Sequence, residues 1–190
     1  MKKLGSLISL ALFSTLFSNL ALAHPGHELS NAYAGFMHPI TGWDHLLVML
    51  AIGLWAAKLG GKARWQLPLT FVLVMTFGAV LGMAGFGFAG LETLIAASVM
   101  AMGLLLIINM PINITLQISL TALFALMHGL AHAVDLNHGA SPFIGMLVAT
   151  GFLHAAGLLL GLQRNNLIKW LQTGLAFVML AIGAYWTVLV

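Results

Sequence analysis

From residue 42 to residue 59 the chain reads GWDHLLVMLAIGLWAAKL. An Asp-His pair opens the stretch, Lys58 nearly closes it, and residues 46–57 between them carry no charge. A helix of that length reaches about 27 Å, close to the ~30 Å of a bilayer's hydrocarbon core. The stretch therefore reads as a spanning helix, with ionisable groups at its entrance. Composition extends that reading to the whole chain. Of 190 residues 61% are hydrophobic and 6% are charged, against about 25% charged in a soluble domain. Cysteine is absent, which excludes disulfides and a thiolate metal site. The net charge of +3 comes without a basic stripe, so nucleic acid is excluded as a partner. The partner is the lipid bilayer.

Five further apolar stretches follow, at about 66–88, 91–109, 113–134, 141–162 and 167–189, each near the ~20 residues a span requires. The breaks carry turn-formers: Gly60-Gly61 and Pro68, the glycines from Gly85 to Gly90, Asn109-Met110-Pro111, residues 137–142, and Arg164-Asn165-Asn166. The expected fold is all-α, a polytopic membrane protein of six transmembrane helices. Lys2 and Lys3, the apolar run 4–20 and Ala21-Leu22-Ala23 read as a cleavable signal peptide over 1–23. Residues 24–190 then form one six-helix membrane domain. Lys58, Lys62 and Arg64 fall in the first connection and Arg164 and Lys169 in the fifth, while the second and fourth carry no Lys or Arg. The positive-inside rule turns connections one and five to the cytoplasm and both mature termini outward, in a bacterial inner membrane. Gly78-x-x-x-Gly82 and Gly157-x-x-x-Gly161 mark faces for close helix approach. Trp43, Trp55, Trp65 and Trp170 lie near span ends and read as interfacial anchors.

Two clusters carry the chemistry: His38-Pro-Ile-Thr-Gly-Trp-Asp44-His45 and His128-Gly-Leu-Ala-His132-Ala-Val-Asp135. They hold four of the eight histidines and two of the four acidic residues. An ionisable group at membrane depth costs roughly 2.5–3.5 kcal/mol on insertion scales, so its retention points to function. His128, His132 and Asp135 are spaced to share one helical face. Thr41 is the expected N-cap of the first span. In the expected topology both clusters face the outer half of the membrane. Glu92, at the head of the third span, and His24 and His27, at the mature N-terminus, join them there. Imidazole with carboxylate suits Ni²⁺, Co²⁺ or Zn²⁺, and Cu²⁺ by affinity. His154, alone in the fifth span, reads as a packed core histidine. Two other classes were weighed. A haem electron carrier would use His45 and His128 as axial ligands, but the neighbouring carboxylates have no role there. An intramembrane metal hydrolase would want His-Glu-x-x-His, which is missing.

His38-Pro-x-x-Gly-x-Asp44-His45 and His128-Gly-x-Ala-His132 resemble the two signatures of the HupE/UreJ family. The resemblance covers about residues 24–190. It implies six spans behind a cleaved signal, and a permease rather than an enzyme. The cargo would be Ni²⁺ or Co²⁺, taken up for hydrogenase and urease with no permanent cofactor. It also implies that His38, Asp44, His45, His128 and His132 meet the ion. The family's second motif tends to continue Gly-x-Glu, where this chain has Ala133-Val134-Asp135. No P-loop is present, so ATP coupling would need another chain. A homo-oligomer is left open. Reporter fusions after Gly61 and after Asn165 are expected to report cytoplasm; a periplasmic signal at either position overturns the orientation.

Overall fold

The structure is a computed structural model that describes residues 31–108, 112–133, 139–163 and 165–189. The expected signal peptide, His24, His27 and Asp135 lie outside these residues. The regular structure among the described residues is helical: α1 (Ala32–Thr41), α2 (Trp43–Leu59), α3 (Ala63–Met83), α4 (Leu91–Ile107), α5 (Ile114–Ala131), α6 (Ala140–Leu162) and α7 (Asn166–Leu189). Helices α2 to α7 overlap the six expected stretches. By length and composition α3, α5, α6 and α7 are each fit to cross a membrane, and α1 with α2 forms a fifth, bent candidate. α4 is apolar but only 17 residues long, about 26 Å.

Several boundaries depart from the expectation. α3 starts at Ala63 and contains Pro68, placed too early to separate two spans. It ends at Met83 rather than residue 88, because Gly85 (φ 90°) and Gly90 (φ 92°) take left-handed turns before α4 begins. α1 was not expected as a helix. Asn31 caps it, accepting from the Ala34 N–H at 2.9 Å. Thr41 is not an N-cap: it ends α1, and its hydroxyl donates back to the Met37 carbonyl at 3.0 Å. Gly42 is the N-cap of α2, and the two helices meet there at 80°.

The surface is apolar and the interior holds polar groups, the reverse of a soluble domain. Leu73, Phe77, Phe152, Leu159, Leu171 and Val188 point outward, while Asp44, His45, Gln117, Thr121, His128, His132, Thr150 and His154 are buried. Lipid is as apolar as leucine, so helices associate in it by close packing rather than by hydrophobic exclusion. Glycine supplies that packing here. α3 lies along α5, with Gly78 against Leu126 and Gly129, and Gly82 against Leu130 and Ala133. α2 lies along α6, with Gly53 against the His154 carbonyl and Gly157 and Gly161 against Leu50, Leu54 and Ala57. In both pairs the residue numbers rise together, so the helices run parallel. α4 and α7 run antiparallel, Gly103 meeting Ala176 and Leu180, and Gly183 meeting Met100. Those directions are what successive crossings would produce. The hexapeptide at 48–53 recurs at 178–183, and in both copies the final glycine abuts a neighbour's backbone.

Lys58, at the far end of α2, donates to the carbonyls of Leu106 (2.6 Å) and Ile108 (2.7 Å), caps the end of α4 and offsets its negative dipole end. Trp55 is no interfacial anchor; it is buried in the core beside Ile52 and Ala56, whereas Trp43, Trp65 and Trp170 are exposed.

A side chain at Gly53 or Gly129 would meet backbone that cannot move aside. Overpacking of this kind costs about 1–3 kcal/mol or more. Gly53→Leu and Gly129→Leu are therefore expected to leave little monodisperse protein after detergent extraction. Gly174→Ala, which meets nothing, should match the parent. Equal recovery of all three would refute the packing argument.

Candidate metal centre

The bend at Gly42 decides where the ligands meet. α1 crosses the first turns of α6, with Gly35 on Pro142 and Gly145 on Ala32, which ties α1 against the bundle. His38 leaves α1 one turn before the bend and His45 enters α2 just after it. The third side comes from α5. That helix stops at Ala131, and His132 is its C-cap, still bonded to the His128 carbonyl at 3.2 Å.

Ligand atoms of His38, His45 and His132 all lie within 4.8 Å of one another. His45 is 1% exposed, His132 0% and Asp44 6%. His45 Nε2 faces His132 Nε2 at 2.7 Å. The rings of His38 stand edge-on to both, with centroids 5.2 Å from His45 and 5.1 Å from His132. Behind His45, Asp44 Oδ1 lies 2.7 Å from Nδ1. A carboxylate there favours the tautomer protonated at Nδ1, which turns the Nε2 lone pair toward the cluster and makes it a better donor to a cation. Gly42 leaves the room for this: a Cβ would stand 3.3 Å from Asp44 Oδ1 and 3.4 Å from His45 Nδ1.

His128 sits one step further in. Its Nδ1 is 2.9 Å from the Phe124 carbonyl, which can only accept, so Nδ1 carries the proton and Nε2 the lone pair. Its ring is 5.2 Å from that of His45. The centre is thus three convergent imidazoles, a fourth beside them and one carboxylate aligning the ring of His45. Such a set could hold a borderline divalent cation. At a metal–nitrogen distance of about 2.0–2.1 Å, the facing Nε2 atoms of His45 and His132 would part by about half an ångström.

The expected residues are distributed unevenly. His38, His45 and His132 converge, and His128 and Asp44 touch them from either side. Asp44 stands against a ring rather than among the converging atoms. Glu92 is exposed in the first turn of α4 and is not among the converging residues. His128 and His132 keep their four-residue relation, but the helix that was to carry it to residue 134 ends first. Reading the sequence passed over Phe71, whose ring lies 5.7 Å from His128 and 5.2 Å from His154; a phenylalanine in a greasy helix gives no signal of its own.

The family model described as HupE / UreJ protein matches residues 10–186. Protein HupE of Rhizobium leguminosarum bv. viciae is 37% identical over 156 residues, covering 80% of this chain and 82% of that one. No solved structure matches.

If three imidazoles share one ion, their losses should not add. His45→Ala and His132→Ala are each expected to abolish high-affinity Co²⁺ binding by the purified protein, and the double variant should be no worse. Asp44→Asn should weaken binding by about 10–100-fold, the usual effect of losing a group that orients a ligand. Titration calorimetry with Co²⁺ measures all four; independent, multiplicative losses would mean two sites.

Proposed function

The chain belongs to the HupE/UreJ family, and we propose that it is a secondary permease that carries Ni²⁺ or Co²⁺ into the cell for metalloenzymes of the hydrogenase and urease type. The observation that carries this reading is the convergence of His38, His45 and His132 within 4.8 Å, His45 and His132 buried and His38 half-buried, in an apolar helical bundle. Neutral imidazole with a single nearby carboxylate selects borderline transition metals over Mg²⁺ or Ca²⁺, which want mostly oxygen. His128 next to the trio offers a first step inward. A cargo site must also release its ion, and a cage of neutral imidazoles holds a divalent ion less tightly than thiolates would.

In this reading α1 and α2 form one bent crossing and α4 a short one, giving six. The alternating directions of the packed pairs support that count. The basic connections after α2 and before α7 then face the cytoplasm, and the histidine centre faces outward. Asp135 and the N-terminal His24 and His27 are assigned to the same outer mouth on sequence grounds, as is Glu92. The haem alternative finds no support in the geometry: His45 and His128 pack ring to ring at 5.2 Å, with no slot for a macrocycle between them.

The test is uptake of radiolabelled Ni²⁺ and Co²⁺ by cells expressing the chain, with Zn²⁺, Mn²⁺ and Mg²⁺ as competitors. Saturable Ni²⁺ or Co²⁺ uptake is expected, lost in His45→Ala and His132→Ala at matched membrane content and insensitive to Mg²⁺. Uptake no greater than in cells lacking the chain, for every metal, overturns the reading.

A further inference from the structure

Below the histidine trio lies a polar pair that the reading above does not use. Thr150 and His154 are one turn apart on α6, 0% and 2% exposed. Among the described residues neither ring nitrogen of His154 nor the Thr150 hydroxyl has a hydrogen-bond partner. Among the described threonines Thr121 is as deeply buried, and it is satisfied within its own helix. Thr76, Thr121, Thr173 and Thr187 each donate to the carbonyl four residues earlier, the common resort of a helical threonine in an apolar setting. Thr150 does not. Burying an unsatisfied imidazole costs about 1–3 kcal/mol, and a hydroxyl adds to it. A pair left in that state, on a helix locked by Gly53 and Gly157, has a use other than packing.

Its position supplies the use. Gly53 of α2 abuts the backbone of His154, and Gly53 is eight residues below His45, roughly 12 Å along the helix. The rings form a file: His45 to His128 at 5.2 Å, His128 to Phe71 at 5.7 Å, Phe71 to His154 at 5.2 Å. Phe71 is fully buried on α3 and presents no donor atom, so it interrupts the run of imidazoles.

We propose that His154 and Thr150 form an inner, transient site for the same first-row divalent cation, and that Phe71 is the gate between it and the histidine cluster. The inference rests on the permease reading and deepens it. One imidazole and one hydroxyl are too few for tight binding and suit a station from which an ion moves on. The ion passes from the trio to His128, the Phe71 ring rotates, and His154 receives it through a ring nitrogen with the hydroxyl oxygen as second ligand.

The test is equilibrium dialysis of the full-length protein in lipid nanodiscs against ⁶³Ni²⁺, beside uptake in cells. The parent is expected to bind about two ions per chain, one tightly and one weakly. His154→Gln and Thr150→Val, close in size to the parent residues, should each lose the weak ion, keep the tight one with unchanged affinity, and lower uptake about tenfold or more. The retained tight ion shows that these variants are folded. The His45→Ala/His132→Ala variant should keep only the weak ion. Phe71→Ala should speed ⁶³Ni²⁺ exchange at the inner site while leaving both ions bound. A single ion in the parent, removed by the trio variant and untouched by His154→Gln, overturns this proposal and leaves the permease reading standing. Lower uptake in His154→Gln with two ions still bound also overturns it, because the histidine would then serve some other step. No binding and no uptake by the parent overturns both.

Discussion

Backbone-to-backbone contact at glycine is the constraint on which the rest depends. Gly53 and Gly157 between α2 and α6, Gly78 and Gly129 between α3 and α5, and Gly35 and Gly145 between α1 and α6 each replace a side chain with a neighbour's main chain. In lipid this contact is the main source of association, since there is no water to exclude. It is also what makes the site. His45 on α2 and His132 at the end of α5 come within 2.7 Å, and the α2–α6 and α3–α5 glycine seams fix the helices that carry them. A larger residue at any of these positions would shift one helix against its neighbour. Stability and ligand geometry are therefore set by the same residues.

The histidine cluster is costly to bury, and the fold offsets the cost by mutual satisfaction. His45 has Asp44 on one nitrogen and His132 on the other; the His128 Nδ1–H donates to the Phe124 carbonyl. Each arrangement also selects a tautomer that turns a lone pair inward. The bend at Gly42 adds a directional element. A straight helix through residues 32–59 would put His38 and His45 seven residues apart on one continuous face. The 80° break folds α1 over the top of α2, so His38 reaches the cluster from another side. The helix passes through Pro39 and breaks at Gly42, whose backbone is extended (φ −79°, ψ 112°) and whose helix propensity is low.

The spans were legible because a run such as 46–57 has one reading in any chain of this composition, and the GxxxG faces because a glycine pair four apart has a packing consequence that needs no partner to be named. The histidines that converge stood out in the sequence by type and by their rarity. What escaped depends on three-dimensional neighbours. α1 is short, and tertiary contact with α6 stabilises it. Asp44 is spaced like a ligand, and only its position beside His45 Nδ1 shows that it aligns the ring. Trp55 sits near a span end in sequence yet faces inward, since rotation about a helix axis cannot be read from an all-apolar run. His154 looked like any core histidine because the want of a partner is a property of its surroundings.

The distribution of charge gives the bundle a direction. Among the described residues Asp44 is the buried carboxylate, at the histidine centre, and His154 and Thr150 are buried further into the bundle on α6. On the permease reading a divalent ion would be held most strongly where it is partly neutralised and less strongly below, so by itself this gradient would oppose inward movement. The membrane potential acts the other way, at about 2.3 kcal/mol per charge per 100 mV and twice that for a divalent ion. A centre with several carboxylates would bind more tightly than that field could overcome. On that reading a carboxylate such as Asp44, held against an imidazole rather than among the converging nitrogens, would keep the well shallow enough for the potential to empty it. On this argument a second acid placed at the trio should improve binding and impair transport, a separation that the neutral cage is built to avoid.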